Sequence, residues 1–324
     1  MDNDTEVLPR VGMVVLDLVW EAVEPVALPP FVSSTLRGAL GRALRARACL
    51  TGAEQCQGCS LWTACAYGTT WESRPTPGVE LPPEHAATPP GPYILKHVSG
   101  GEDGHLETGE RIRARLKLFG AARGLLPQFV LAARDAGRRG FGRGRGEMEL
   151  AEATALGRTG APSVIYLVPY GFLKPDPPPL WWVEPRTSRR ASPPPRVRLE
   201  FETPTELTGW DPNKPFDAEV FTARLTERLD VMARNHERAA PRWDIGWRLK
   251  LSQLCRPVEQ TIEPVRFSRV SQRQERRVPM TGFCGSVVLE GVTAELFGLW
   301  RTAWDIHVGK KTTFGYGQVR VTAA

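Results

Sequence analysis

Nine prolines between Pro169 and Pro195 constrain this chain more than any other feature. Proline lacks a backbone N–H and fixes φ, so a run this dense admits neither a helix nor a place inside a sheet. At 324 residues the chain already exceeds the usual size of one hydrophobic core. The run is therefore read as a connection over 169–195, between a domain at 1–168 and a second at 196–324. Trp181 and Trp182 predict that the connection packs against something.

The flanking parts share one rhythm. In the first, VGMVVLDLVW (11–20) has the β-branched content of a strand, and 33–48 reads as a helix with Leu36, Leu40 and Leu44 on its buried face and Ser33 or Ser34 as N-cap. Segments 92–98 and 111–119 read as strands, 125–136 as a helix ending at Gly137, and 146–168 as strand again. The second part repeats the order: strand 197–203, helix 217–236 with Phe221, Leu225, Leu229 and Met232 as its stripe, strands 261–270 and 282–291, helix 293–306, and a closing strand in YGQVRVT. Two β-α-β-β-α-β units predict an α+β protein of tandem ferredoxin-like, RRM-like domains, the first carrying a cysteine-rich insertion.

Lys and Arg outnumber Asp and Glu by 42 to 36, with a pI near 9.1, which favours an acidic partner such as nucleic acid. The N-terminus lacks the progression of a signal peptide and no apolar run reaches the length of a membrane span, so a soluble, cytoplasmic protein without a membrane partner is expected. Four of the six cysteines, Cys49, Cys56, Cys59 and Cys65, form a C-x6-C-x2-C-x5-C cluster. The central pair suits a metal knuckle that the outer two complete, so structural zinc is expected, with an iron–sulfur cluster or unliganded thiols as the alternatives. Four thiolates leave no open position for water, which assigns such a site to folding or docking. Cys255 and Cys284 read as core residues.

Three segments carry positive charge in patterns suited to phosphate. Strand 111–119 alternates Arg111, Arg113, Arg115 and Lys117 with aliphatics, which places the cations on one face with no acid between them along the strand. GRRGFGRGRG (137–146) combines Arg138, Arg139, Arg143 and Arg145 with five glycines and Phe141, a mixture suited to a single strand whose base stacks on the ring; a plain surface loop is the alternative. HVGKKTTFGYGQVRV (307–321) places His307, Lys310 and Lys311 among Gly309, Gly315 and Gly317, whose backbone can form a phosphate-binding concavity. His307, at a helix end beside that loop, is a candidate for acid–base work or a simple helix cap. His97 could present its ring from a strand, whereas His85, His105 and His236 read as loop or packing residues.

STLRGALGRALRARAC with its four-cysteine insertion, RIRARLKLFG, DAGRRGFGRGRG, SRVSQRQ, GFCGSVVLEG and the C-terminal glycine-rich stretch together resemble the CRISPR-associated repeat-processing endoribonucleases of the RAMP superfamily, in a subgroup with a four-cysteine insertion. The resemblance implies cleavage of CRISPR precursor RNA within its repeats without a catalytic metal, by attack of a 2′-hydroxyl to leave a 2′,3′-cyclic phosphate and a 5′-hydroxyl. It also implies retention of the crRNA product and contact with other CRISPR effector subunits. It assigns His307 as general base or acid, Lys310 and Lys311 as phosphate stabilisers, Tyr316 as a stacking or proton contact, and Gly309, Gly315 and Gly317 as the turns of the loop. Many relatives carry a catalytic histidine in or near the first helix. Here 33–48 has none, and Arg37, which stays protonated, serves there as an RNA contact. That leaves His307, another residue such as His97, or a non-catalytic RNA-binding subunit. A zinc-dependent DNA-binding regulator is a more distant reading, which the basic helix at 33–48 keeps open and the glycine loops fit poorly.

Overall fold

A computed structural model of the protein describes residues 6–158, 162–168, 178–186, 193–271 and 276–324. The chain divides into two compact units, Gly12–Pro77 with Pro83–Trp181, and Trp182–Ala324 with Gly78–Pro82 and the stretch through Val11. Most of the predicted connection, 169–177 and 187–192, and residues 272–274 of SRVSQRQ lie outside the described residues.

The first unit is built on β1 (Val11–Ala22), a strand buried on both faces along nearly its whole length. A short strand β2 (Val26–Ala27) leads to helix α1 (Val32–Ala48), and the cysteine-rich segment follows, ending in α2 (Ala66–Trp71). Then come β3 (Tyr93–Ser99), β4 (His105–Leu106), β5 (Arg111–Phe119), helix α3 (Leu126–Arg138), β6 (Met148–Leu156) and β7 (Ser163–Leu167). The sheet order β3-β5-β1-β6 is antiparallel throughout, the ferredoxin-like arrangement, with β7 added at the edge. Leu36, Leu40 and Leu44 of α1 and Phe129, Val130 and Ala133 of α3 leave water almost completely, at about 2 kcal/mol for each large side chain. Arg47 of α1 meets Asp135 of α3 at 2.6 Å and joins the two helices at their exposed ends.

Two local expectations change. Phe31, not a serine, precedes the first turn of α1, and Ser33 Oγ instead accepts the His97 N–H at 3.0 Å, tying the helix to β3. Gly137 lies inside α3 because it packs against Met148 O and Trp20; the chain turns left-handed only at Gly140.

The described part of the connection holds β8 (Trp181–Val183), and it packs as expected: Trp181 Nε1 donates to Leu156 O at 3.1 Å, and the Arg10 guanidinium lies 4.1 Å from the Trp182 ring centre.

The second unit repeats the topology with β9 (Arg196–Thr205), α4 (Ala218–Glu237), α5 (Ile245–Ser252), the long hairpin β10 (Arg256–Ser271) and β11 (Arg276–Glu290), α6 (Ala294–Trp300), α7 (Ala303–Ile306) and β12 (Val319–Ala323), in the order β10-β11-β9-β12. Asp217 caps α4 through Oδ1, which accepts the N–H groups of Glu219 and Val220. The helix expected over 293–306 is two helices. Thr302 turns its hydroxyl back onto Leu299 O at 2.7 Å, and the chain tightens there. Helix α5 centres on Arg248, which is fully buried and bonded to Glu6 and Glu295 at 2.6 Å each. Val7 exchanges backbone hydrogen bonds with Arg242 beside it, so the N-terminal stretch completes this second unit.

Candidate nucleic-acid interface

The glycine loop after α3 is a packed turn. Phe141 and Gly146 form a β-bridge, Arg143 N–H donates to Ala27 O of β2 at 2.9 Å, and a Cβ on Gly142 would stand 1.8 Å from that same carbonyl. The loop therefore needs glycine in order to lie on the protein's own backbone. Phe141 is buried edge-on against Trp20 with ring centres 5.3 Å apart, which removes it as a stacking platform for a base. The packing leaves Arg138, Arg139, Arg143 and Arg145 exposed, with Arg42 of α1 beside them. Burial, then the charges of Arg145 and Arg139, hold the Arg42 guanidinium below its ordinary pKa. Cations crowded this way form an anion-seeking surface.

On β5 the face is mixed. The strand itself has no acid, but β1 supplies two in register: Asp17 pairs with Arg115 through two bonds of 2.8 and 2.9 Å, and Glu21 pairs with Arg111. The hydrogen bonds that Arg115 donates to Asp17 raise its pKa. Lys117 is buried. The expectation of four cations awaiting an outside anion is therefore corrected: Arg111 and Arg113 are exposed, Arg111 is paired with Glu21, and Arg113 lies opposite Val19 and Ser99. Arg37 lies over the rings of Trp71 and Tyr93, 5.4 and 5.8 Å from their centres.

The C-terminal loop is closed on its own unit. His307 is buried, with Nδ1 2.7 Å from Tyr316 O. Tyr316 is equally buried, and burial, then Glu206 and Cys284, push its hydroxyl pKa up. Lys311 Nζ makes an ion pair with Glu206, and Lys310, more exposed, reaches the same carboxylate at 3.7 Å. Gly309 is left-handed, and a Cβ there would stand 2.2 Å from Glu206 O, the carbonyl that accepts the Lys310 N–H. Gly315 and Gly317 also turn left-handed. Beneath the loop the buried Arg228 donates to Ile306 O at 2.8 Å, and desolvation lowers its pKa to about 9. The expectation that His307 and Tyr316 face a bound phosphate is thus corrected. The His307 ring is spent on the Tyr316 carbonyl, the Tyr316 ring is buried, and Glu206 is paired with both lysines of the loop.

His97 is placed differently. Its ring is half-buried at the end of β3, next to the first turn of α1, and Nε2 lies 2.7 Å from Gly100 O. A carbonyl can only accept, so Nε2 carries the proton and Nδ1 keeps a lone pair. Its backbone N–H, bonded to Ser33 Oγ, ties this histidine to the first helix. The sequence already offered it as the alternative to His307, a histidine in PYILKHV presenting its ring from a strand.

All four clustered cysteines line one cavity of about 110 Å³ under the end of α1. Cys59 N–H bonds Cys56 O in the knuckle turn, and the Gly68 N–H points to Cys65 Sγ at 3.5 Å. Among the described residues no three His, Cys, Asp or Glu side chains stand in a ligating arrangement; what the four cysteines offer a metal is a shared cavity and four sulfur donors. Cys255 and Cys284 are half-buried, and burial raises both thiol pKa values. No helix among the described residues is long and apolar enough to cross a membrane.

No match was found among curated proteins. Solved structures with this fold include a Cas6 product complex (TM-score 0.54, 17% identity, covering 96% of this chain and 100% of that chain) and Thermus thermophilus Cas6 (0.50, 14%, 96% and 99%). A partial Cas6-RT-Cas1–Cas2 complex matches at TM-score 0.52 and 10% identity, over 98% of this chain and 47% of that chain. Residues 199–319 match the model of the CRISPR-associated endoribonuclease Cas6, and residues 10–175, half of the chain, match the AF_1859_N N-terminal domain. The chain therefore belongs to the AF_1859_N family through its first half, and its second half is similar to the CRISPR-associated endoribonuclease Cas6.

Proposed function

We propose that this protein cleaves CRISPR precursor RNA within its repeats, by in-line attack of a 2′-hydroxyl on the adjacent phosphate, and keeps hold of the product. The observation that carries the reading is the arginine surface of α1, α3 and the glycine loop. Its five exposed arginines, Arg42, Arg138, Arg139, Arg143 and Arg145, stand on two helices and on a loop whose backbone is already packed against β2. Such a surface binds phosphates without first paying to order a flexible loop.

His97 acts as the general base. Its Nδ1 lone pair takes the proton of the attacking hydroxyl while Gly100 O fixes the tautomer. No metal is needed for this step, because the nucleophile is part of the RNA and the protein supplies alignment, charge and a proton acceptor. Arg113 and Arg37 are the further phosphate contacts. The surrounding machinery, including other effector subunits, meets the protein through the retained RNA.

The test is cleavage of repeat RNA by the purified chain in excess EDTA. Discrete products ending in a cyclic phosphate support the reading, and RNA left intact at saturating protein overturns it. The burial of His307 and Tyr316 favours one second reading, an RNA-binding subunit that does not cut. Intact but tightly held RNA is its expected result.

A further inference from the structure

The cysteine-rich segment gathers four thiols around one cavity that RNA chemistry does not use. Cys49 ends α1 and Cys65 begins α2, while Cys56 and Cys59 face the same cavity from the turn between them. The rest of the lining includes Ala48, Leu50 and Leu61, and among these walls the four thiols are the only groups that bind soft metal ions strongly.

We propose that Cys49, Cys56, Cys59 and Cys65 bind a single zinc ion as thiolates, and that this ion clamps α2 onto α1. Each thiol releases a proton as its sulfur binds; no electron is transferred, and zinc keeps its 2+ charge. The spacing has one C-x2-C pair that makes the knuckle and longer outer intervals that let the other two thiols complete a tetrahedral set. Arg45 crosses from α1 to the carbonyl of Glu54 at 2.6 Å, placing a cation beside the net negative charge of a four-thiolate zinc centre. The Gly68 N–H aimed at Cys65 Sγ is the backbone donor that a metal-bound thiolate accepts.

The clamp has a structural consequence at the helix it anchors. Trp71, the last residue of α2, stacks on Tyr93 with ring centres 4.2 Å apart, and its indole meets α1 where a Cβ on Gly41 would lie only 2.3 Å away. Arg37 rests on these two rings. Zinc therefore holds the platform that orients Arg37, although its binding does not depend on whether the protein cuts RNA.

The experiment is metal analysis of the full chain purified without chelator, with thiol alkylation in parallel. Expected are about one zinc per chain and four thiols protected from alkylation until the metal is stripped. Stripping should lower Tm by about 10 °C, and added zinc chloride should restore it. Cys59→Ser should lose the metal and Cys284→Ser should keep it; if Cys59→Ser does not fold, the wild-type measurements decide. Six thiols reacting alike, less than about a tenth of an equivalent of zinc after reconstitution, or iron with a visible absorption band would each overturn the proposal. RNA left uncut while one zinc is bound would count against the processing reading alone.

Discussion

His307 holds a backbone conformation that side chains rarely adopt, φ 59° with ψ 171°. Such a residue costs on the order of 1–3 kcal/mol, and the native contacts must outweigh it. Here they are the Nδ1 bond to Tyr316 O and complete burial. Replacing the ring separates the two effects. His307→Ala loses the hydrogen bond and keeps the strain, whereas His307→Gly loses both. The glycine variant should be more stable than the alanine variant by about 1–2 kcal/mol in urea denaturation; equal stabilities would mean that the backbone is not strained. His97 is the catalytic counterpart. His97→Ala should slow single-turnover cleavage by about two to four orders of magnitude while RNA affinity stays within a few fold, the signature of a lost general base. Unchanged cleavage would remove it from the mechanism. Neither role could be read from composition. A glycine loop looks the same in sequence whether its N–H groups face a phosphate or its own carbonyls, and only the Gly309 contact with Glu206 O decides between them.

Strand β5 shows what a periodic pattern carries at the scale of an element. The alternation in RIRARLKLF correctly predicts a strand with Ile112, Ala114, Leu116 and Leu118 inside. It cannot report the neighbour across the ladder, and β1 places Asp17 and Glu21 in register with Arg115 and Arg111. The two arginines named together in one pattern therefore do different work. Arg115→Ala should cost about 1–2 kcal/mol of stability, because it strands the buried Asp17, and should change RNA affinity little. Arg113→Glu should leave stability within about 0.5 kcal/mol and weaken RNA binding several-fold. Chemical denaturation and filter binding of both variants check this, and equal effects on binding would contradict it. Helices with aliphatic stripes, such as Leu36-Leu40-Leu44 and Phe221-Leu225-Leu229, were legible for the same reason as β5. Helix α5 was not, because its buried residues are Arg248 and Ser252, which no hydrophobic period detects. The break between α6 and α7 was hidden in a single hydroxyl, that of Thr302.

At the scale of the whole molecule, the β-α-β-β-α-β rhythm read from the sequence appears in both units as the antiparallel order of a ferredoxin-like fold. What the rhythm left out is the thread that joins distant parts of the chain. Glu6 reaches Arg248 across 242 positions, and Val7 pairs with Arg242. Glu6→Gln leaves Arg248 fully buried with Glu295 as its remaining acid. It should lower stability by about 1–3 kcal/mol, and adding Arg248→Met should recover part of the loss, since an apolar residue asks for no partner. A double variant no better than the single would show that the pairing with Glu6 is dispensable. The same thread sets an order of events during synthesis. Residues 6 and 7 leave the ribosome more than two hundred residues before their partners, at least ten seconds at about 5–20 residues per second. Throughout that wait, residues 12–181 can already collapse around β1, while the stretch ahead of them stays unsettled in solution. Residues 6 and 7 are thus made early and placed late, and a nascent chain stalled before Arg242 offers them neither partner.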